Sequence, residues 1–353
     1  MSEYKSWKAT QAAMKEVARA RASQTGEDVN RLLKMAHFDR LLARVFTDGD
    51  ESWMLKGGSS MLARVADARS TKDLDLISTG SDLDDAETEL RRLVESDLGD
   101  HVRMRLLSSK DMSQGENQPQ TRARRLMFEM QDIHTGRQID KIPVDLAVEH
   151  PPIGAPEMVE PSHRLATARE IPAAQYRLFP LSDQVADKVC ATMQEYGEGK
   201  RSSRAKDLVD LVVIAKTQSL DLQELQRAIE VERLLRRMPP IKSLEVPRQW
   251  AAPYRKLAKR TPACHGLEDL QEAEAFVRRL IDPALEPHPN PSTWIPNNGW
   301  DADSNPKAGR RSGPVGPRGP QPRKGPGAKN PGQFASRAHG ESSISLEPPV
   351  REE

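Results

Sequence analysis

Apolar positions change period along the chain, and the changes mark out its elements. Residues Ser6 to Arg21 scatter Ala, Met and Val among charges and predict a helix. A second helix is predicted after Thr25 as N-cap, with Glu27 and Asp28 in its first turn. Its apolar stripe is Val29, Leu32, Leu33, Ala36, Leu41, Leu42, Val45 and Phe46. Thr47 to Asp50 ends it and leads into a short apolar strand at Trp53 to Leu55. A glycine turn, a small helix and a second strand at Asp73-Leu74-Asp75-Leu76 follow. Asp84 to Glu95 predicts a helix with Leu90 and Val94 inward, and His101 to Leu107 a strand. Ser108 to Gln120 is polar without period and predicts a loop. Leu126 to Ile133 and Gln138 to Val148 predict two strands joined by a turn at His134 to Arg137.

Pro151 to Pro180 then interrupts the pattern, and from Leu181 the period is helical. Ser182 is the expected cap of a helix reaching about Tyr196, with Val185, Val189 and Met193 on one stripe. Gly197-Glu198-Gly199 predicts a turn, and Lys200 to Lys206 is a basic polar segment. Asp207 to Lys216 follows as a helix burying Leu208, Leu211, Val212 and Ala215, with Asp207 and Asp210 expected together off that face. Another amphipathic helix spans Asp221 to Leu235, carrying Leu222, Leu225, Ile229, Val231 and Leu234. Gln249 to Lys259 and Leu267 to Leu280 predict two closing helices, with Trp250 and Tyr254 as packing residues.

From about Pro287 Pro and Gly dominate, which predicts disorder. Residues 306–340 carry basic residues and no acidic ones. They read either as a solubilising tail or as a segment holding RNA phosphates. This order of elements predicts an α+β, bilobed fold. Its parts are a lobe at 1–150 with a small mixed sheet and N-terminal helices, a crossing at 151–180, a helical lobe at 181–286 and a disordered tail at 287–353.

Composition narrows the function classes. The 353 residues are 37% hydrophobic and 30% charged, with net charge +1, so a nucleic-acid surface would have to be a local patch. Cys190 and Cys264 are the only cysteines, which argues against a disulfide framework and for a reducing cytoplasm. Cys264 and His265 are adjacent without companions, which gives no metal site. No apolar run is long enough to span a membrane, and Met1 to Lys15 lacks a signal-peptide core.

The chemistry gathers around the first glycine turn. Gly57 and Gly58 allow a sharp turn and a close approach to a ligand. Backbone N–H groups there, Ser59 and Ser60 hydroxyls and the Lys56 charge suit phosphate. Asp73 and Asp75 are two apart, so on a strand their carboxylates share one face and repel unless a cation lies between. Mg²⁺ fills such a site together with phosphate oxygens. Asp145, among apolar neighbours in Ile142 to Val148, is the candidate third carboxylate, with Asp140 as the other choice. The bland readings are a surface turn, a solvated strand end and an edge-strand salt bridge.

Gly58-Ser59, thirteen intervening residues and Asp73-Leu74-Asp75-Leu76 resemble the signature of polymerase-beta-like nucleotidyltransferases. Lys56-Gly57-Gly58, with Arg69 ahead of the Asp pair, resembles the AbiEii/AbiGii toxin branch, which includes the MenT-type toxins. A second motif is similar to that family's helical-lobe element: Lys188, then Arg201 or Arg204, then Lys206-Asp207-Leu208-Val209-Asp210-Leu211. By itself it also reads as a solvated helix face. The resemblance covers roughly residues 28–216 and does not include the Pro/Gly tail.

It implies catalytic roles for Lys56, Asp73, Asp75, Lys188 and Asp210. It implies nucleotide contacts from Gly57, Gly58, Ser59, Arg69 and Lys188, and a metal at Asp73, Asp75 and Asp145. The implied cofactor is Mg²⁺, with Mn²⁺ as the alternative. The implied reaction moves NMP from an NTP to an RNA acceptor, the tRNA 3′ end, in a toxin with a separately encoded antitoxin. The competing readings are a nucleotide-binding regulatory module without transfer and a protein-nucleotidylating enzyme.

Overall fold

A computed structural model of the chain describes residues 4–80, 82–112, 122–196, 200–287, 290 and 292–302. The expected turn at Gly197 to Gly199, most of the expected loop to Gln120 and the tail beyond 302 lie outside the described residues.

Two helices open the chain, α1 (Trp7–Thr25) and α2 (Val29–Asp48). Thr25 does not cap α2. Gly26, at φ +75°, closes α1 in the left-handed conformation, and Asp28 takes over as N-cap, accepting from the Arg31 N–H. Strand β1 (Trp53–Lys56) runs into α3 (Gly57–Arg64), followed by β2 (Leu74–Ser78) and α4 (Leu83–Val94). Then come β3 (Val102–Asp111), β4 (Arg122–Asp132) and β5 (Gln138–Val148), the last two joined where the hairpin was expected. Strand β3 is longer than predicted, taking in Ser108 to Asp111, because β4 supplies ladder partners as far as Arg124.

The expected inter-lobe crossing contributes two more strands, β6 (Glu157–Val159) and β7 (Tyr176–Leu178). Their brevity and the surrounding prolines hide them from pattern reading. The seven strands form one mixed sheet in the order β3-β4-β5-β2-β1-β7-β6. Strands β2 and β5 are parallel, as are β1 and β7, and the other neighbours are antiparallel. Helices α2 and α4 pack on one sheet face. Leu74, Leu76, Val144 and Leu146 point into that core and are buried. Alternation sends Asp75 and Asp145 to the opposite face.

The helical part begins with α5 (Leu181–Met193), whose N-cap is Pro180 rather than Ser182, which is buried in its first turn. Strands β8 (Glu195–Tyr196) and β9 (Lys200–Arg201) pair, and α6 (Ala205–Thr217) follows. Helix α6 is buried almost all round, and Asp207 and Asp210 are fully buried instead of lying off the apolar face. Strand β10 (Leu220–Asp221) precedes α7 (Leu222–Leu235), where Val231 and Leu234 point outward against expectation. Helices α8 (Ala251–Ala258) and α9 (Leu270–Ile281) close the bundle, with Trp250 and Tyr254 buried in packing roles.

The structure departs from the disorder expected after Pro287. Residues Thr293–Ile295 (β11) and Gly299–Asp301 (β12) form a hairpin that adds to β10. Trp294 is fully buried and its indole N–H donates to the Ala215 carbonyl at 2.8 Å. One tryptophan with a satisfied N–H anchors a segment whose average composition is polar. The α+β class expected from the element order is the class observed. Both cysteines are buried free thiols. Among the described residues no helix is long and apolar enough to cross a membrane.

Candidate active site

The site is built around one cross-strand rung. Lys56 on β1 lies opposite Asp75 on β2, Asp75 beside Asp145 on β5, Asp145 opposite Arg125 on β4, and Arg125 opposite Lys110 on β3. Cross-strand partners share a face, so five charged side chains cross the sheet in a line.

Gly57 explains why the turn after β1 needs glycine. Its φ is +64°, and a Cβ there would stand 2.0 Å from Asp75 Oδ2. The carboxylate therefore rests on the glycine backbone. At Gly58 a Cβ would meet Thr71 Oγ1 at 3.1 Å and Arg69 Nη2 at 3.2 Å. No side chain caps the start of α3. Its first N–H groups, at the cleft-lining Gly57 and Gly58, remain available to an anion.

A cleft of about 260 Å³ opens over the rung. Its sheet side carries Lys56, Gly57, Gly58, Arg69, Asp73, Asp75 and Asp145. Its helical side carries Gln184, Asp187, Lys188, Arg204, Lys206 and Asp207. Two roomier concavities, near Asp82 and Arg124 and near Asp39 and Arg164, lack this convergence of carboxylates and cations.

Buried ion pairs join the two sides. Asp210 accepts from Arg69 through Nε at 2.8 Å and Nη2 at 2.9 Å, and from Lys188 Nζ at 2.7 Å. Asp207 stands 3.5 Å from Lys188 Nζ and 2.7 Å from Arg204 Nε. Burial opposes the charge on Lys188, yet Asp210 and Asp207 outweigh it and hold the ammonium protonated. Burial likewise opposes the Asp210 charge, and Lys188 and Arg69 keep its carboxyl below the usual range. Lys56 donates to Glu149 at 2.8 and 3.0 Å and lies 4.0 Å from Asp187. Asp187 is also paired with Arg236 at 2.5 Å.

The carboxylate edge is balanced differently. Asp75 is pushed up to about 6 by burial and by the charges of Asp73 and Asp145, with only partial relief from Lys206 and Lys188. Arg125 forks onto Asp145 with two 2.6 Å bonds and reaches Asp73 Oδ2 at 3.2 Å. It thus bridges two of the three candidate metal ligands. Among the described residues no group of three or more His, Cys, Asp or Glu side chains stands ready to hold a metal as placed. The donor chemistry nevertheless fits a divalent cation: three carboxylates meet on one face, and one is unfavourably charged without a cation beside it.

Most of the residues singled out in the sequence meet in this cleft: Lys56, Gly57, Gly58, Arg69, Asp73, Asp75, Asp145 and Lys188, with Asp210 behind Lys188 and Arg69. Ser59 is the exception. It is buried and donates to the Asp73 carbonyl at 2.9 Å, so its hydroxyl shapes the approach to β2 instead of facing phosphate. Ser60 likewise turns inward, donating to Gln184 Oε1 at 3.1 Å. Asp140 lies apart, paired with Lys34 and His37. Arg204 is the arginine that lines the cleft, and the Arg201 side chain lies outside the described residues.

Sequence reasoning missed Arg125, Glu149, Gln184 and Asp187. Glu149 continues the alternation from Asp145 and Ala147, and Asp187 and Gln184 neighbour Lys188 on α5, so periodicity held a signal for them. Arg125 could be found only from strand pairing.

A sequence profile of the nucleotidyl transferase AbiEii toxins of type IV toxin–antitoxin systems matches residues 40–282. The chain belongs to that family. The match takes in the whole cleft and runs past the expected limit at residue 216, through α9. This AbiEii-family chain is therefore a nucleotidyltransferase toxin of a toxin–antitoxin system.

Among solved structures it is similar to the MenT4 nucleotidyltransferase toxin of Mycobacterium tuberculosis. That match has TM-score 0.45 and 16% identity, covering 77% of this chain and 97% of that one. A putative nucleotidyltransferase from H. pylori matches with TM-score 0.39 and 14% identity over 73% of this chain and 97% of that one. JHP933 from Helicobacter pylori matches with TM-score 0.38 and 12% identity over 72% and 93%. No curated protein sequence matches the AbiEii-family chain.

Proposed function

We propose that the chain transfers a nucleoside monophosphate from an NTP to an RNA acceptor, the 3′ end of tRNA, in a Mg²⁺-dependent reaction. The observation that carries this reading is that Asp75 and Lys188 open onto one cleft. A triphosphate placed there meets carboxylates on one side and cations on the other.

In this reading Asp73, Asp75 and Asp145 would hold Mg²⁺, or Mn²⁺ in its place. The ion supplies charge neutralisation at the triphosphate and lowers the pKa of an acceptor hydroxyl. The chain's own groups do the rest. The uncapped N–H groups at Gly57 and Gly58 bind phosphate oxygens. Lys188 and Arg69, prealigned by Asp210, face the phosphates as their charge shifts toward the leaving pyrophosphate. Lys56, tethered by Glu149, adds positive charge at the end of the rung. Membership of a toxin–antitoxin family supports a cognate antitoxin as partner.

The test incubates the purified chain with each labelled NTP, Mg²⁺, total RNA and a cell lysate. Label in RNA, lost with EDTA, is the expected result. Label in protein would make it a protein-nucleotidylating enzyme, and no label a nucleotide-binding regulatory module.

A further inference from the structure

We propose that the uncovered face of β3 and β4, carrying Arg103, Arg105 and Lys110, is the track on which the RNA acceptor strand approaches the carboxylates. The inference rests on the RNA-acceptor reading above and locates its binding surface.

A bulge in β3 carries the argument. Before it, Arg103 and Arg105 pair with Gln131 and Glu129 of β4. Those positions share the face of Arg125 and hence of the cleft. Strict alternation would then turn Leu107 and Ser109 to the cleft face and Lys110 away. The register shifts between Leu106 and Ser108, so that Ser108 lies opposite Met127 and Lys110 opposite Arg125. One extra residue thus places a third cation on the same face, at the end of the charged rung. Arg103 to Lys110 is eight residues of β3, one of them taken up by the bulge, a row roughly 20 Å long at strand rise.

Charge is segregated between the two sheet faces. Arg124, on the α4 side, is saturated by Asp84, Glu87 and Asp111. On the cleft face Arg103 and Lys110 are exposed and form no ion pair among the described residues. Arg105 shares the buried Glu129 but remains 56% exposed, with donors left over. Deeper in the cleft, Lys56, Arg69 and Lys188 are already matched by carboxylates. The β3 row therefore offers a long polyanion positive charge that the described residues leave unneutralised. Phosphates bound along it lead across Arg125 to Asp145 and Asp75.

The test uses the full chain carrying Arg103→Gln and Lys110→Gln together. The comparison variant is Arg91→Gln, an exposed arginine on α4. Labelled bulk tRNA is titrated without NTP at several salt concentrations, and transfer kinetics are measured separately. The double variant should bind about tenfold more weakly, with the salt slope reduced by about 0.7–0.9 per cation removed. Its KM for RNA should rise by a larger factor than its kcat falls. Arg103→Lys should bind as the wild type does. Wild-type affinity and slope in the double variant, an equal loss in Arg91→Gln, or no tRNA binding by the wild type would each overturn the proposal. If the double variant loses binding as expected but the wild type never labels RNA, the track stands and the proposed reaction fails. If RNA is labelled and the double variant behaves normally, the reaction stands and the track fails.

Discussion

Arg69 and Asp210, 141 positions apart, meet in a two-bond fork whose second oxygen also accepts from Lys188. The fork ties the loop before β2 to α6, so the shape of the cleft and the stability of the fold are joined at one carboxylate. Asp210→Asn would leave two buried cations facing a neutral amide. Breaking such a pair costs about 3–5 kcal/mol. Thermal melting should show that loss, and nucleotide transfer should fall at least ~100-fold, a catalytic barrier increase of about 3 kcal/mol. A normal melt with near-normal labelling would remove Asp210 from both roles.

Gly57→Ala tests the close approach of turn and carboxylate. The left-handed φ alone costs a side chain roughly 1–2 kcal/mol. The added methyl would also push Asp75 away, since its position lies 2.0 Å from Oδ2. Transfer should therefore fall by more than the stability loss explains. Gly58→Ala should be milder, because its 3.1–3.2 Å contacts are with movable side-chain atoms of Thr71 and Arg69. Denaturant melts and labelling rates on both variants check the order, and equal effects would refute it.

Arg125 bridges Asp145 and Asp73, where the proposed reaction requires a divalent cation. If those aspartates hold the ion, Arg125 competes with it. Arg125→Gln should bind Mn²⁺ more tightly than the wild type in NTP-free calorimetry, by several-fold. Unchanged or weaker Mn²⁺ binding would show that the metal lies elsewhere.

Asp140 supplies a pH test remote from the cleft. Burial alone would raise its pKa, but the hydrogen bond to His37 and the Lys34 charge lower it from 3.8 to about 2. A depressed carboxyl contributes stability that is fully present above the unfolded value and lost as pH falls through the folded one. Asp140→Asn should therefore be less stable than wild type at pH 5, with the gap closing between pH 4 and 2. A gap that stays constant over that range would mean that the carboxylate's charge contributes nothing.

The sequence by itself determined the local half of the site. Two glycines, a lysine and a pair of aspartates at strand spacing mark out the sheet edge of the cleft, because turn conformation and alternation depend on neighbours in the chain. Periodicity also sufficed for the long helices and the β4–β5 hairpin, whose patterns are strong and whose partners are adjacent. Tertiary structure decided the rest. Whether Asp210 is solvated or buried depends on Arg69 and Lys188 arriving from other elements. Whether Ser59 meets phosphate depends on the Asp73 carbonyl. Strands β6 and β7 exist because β1 offers an edge, and the last hairpin because Trp294 finds the end of α6. Arg125 and Lys110 enter the charged rung only through strand register. Pairing across a sheet is a long-range choice, made by which faces bury together, and the one-residue bulge in β3 decides which way Lys110 points.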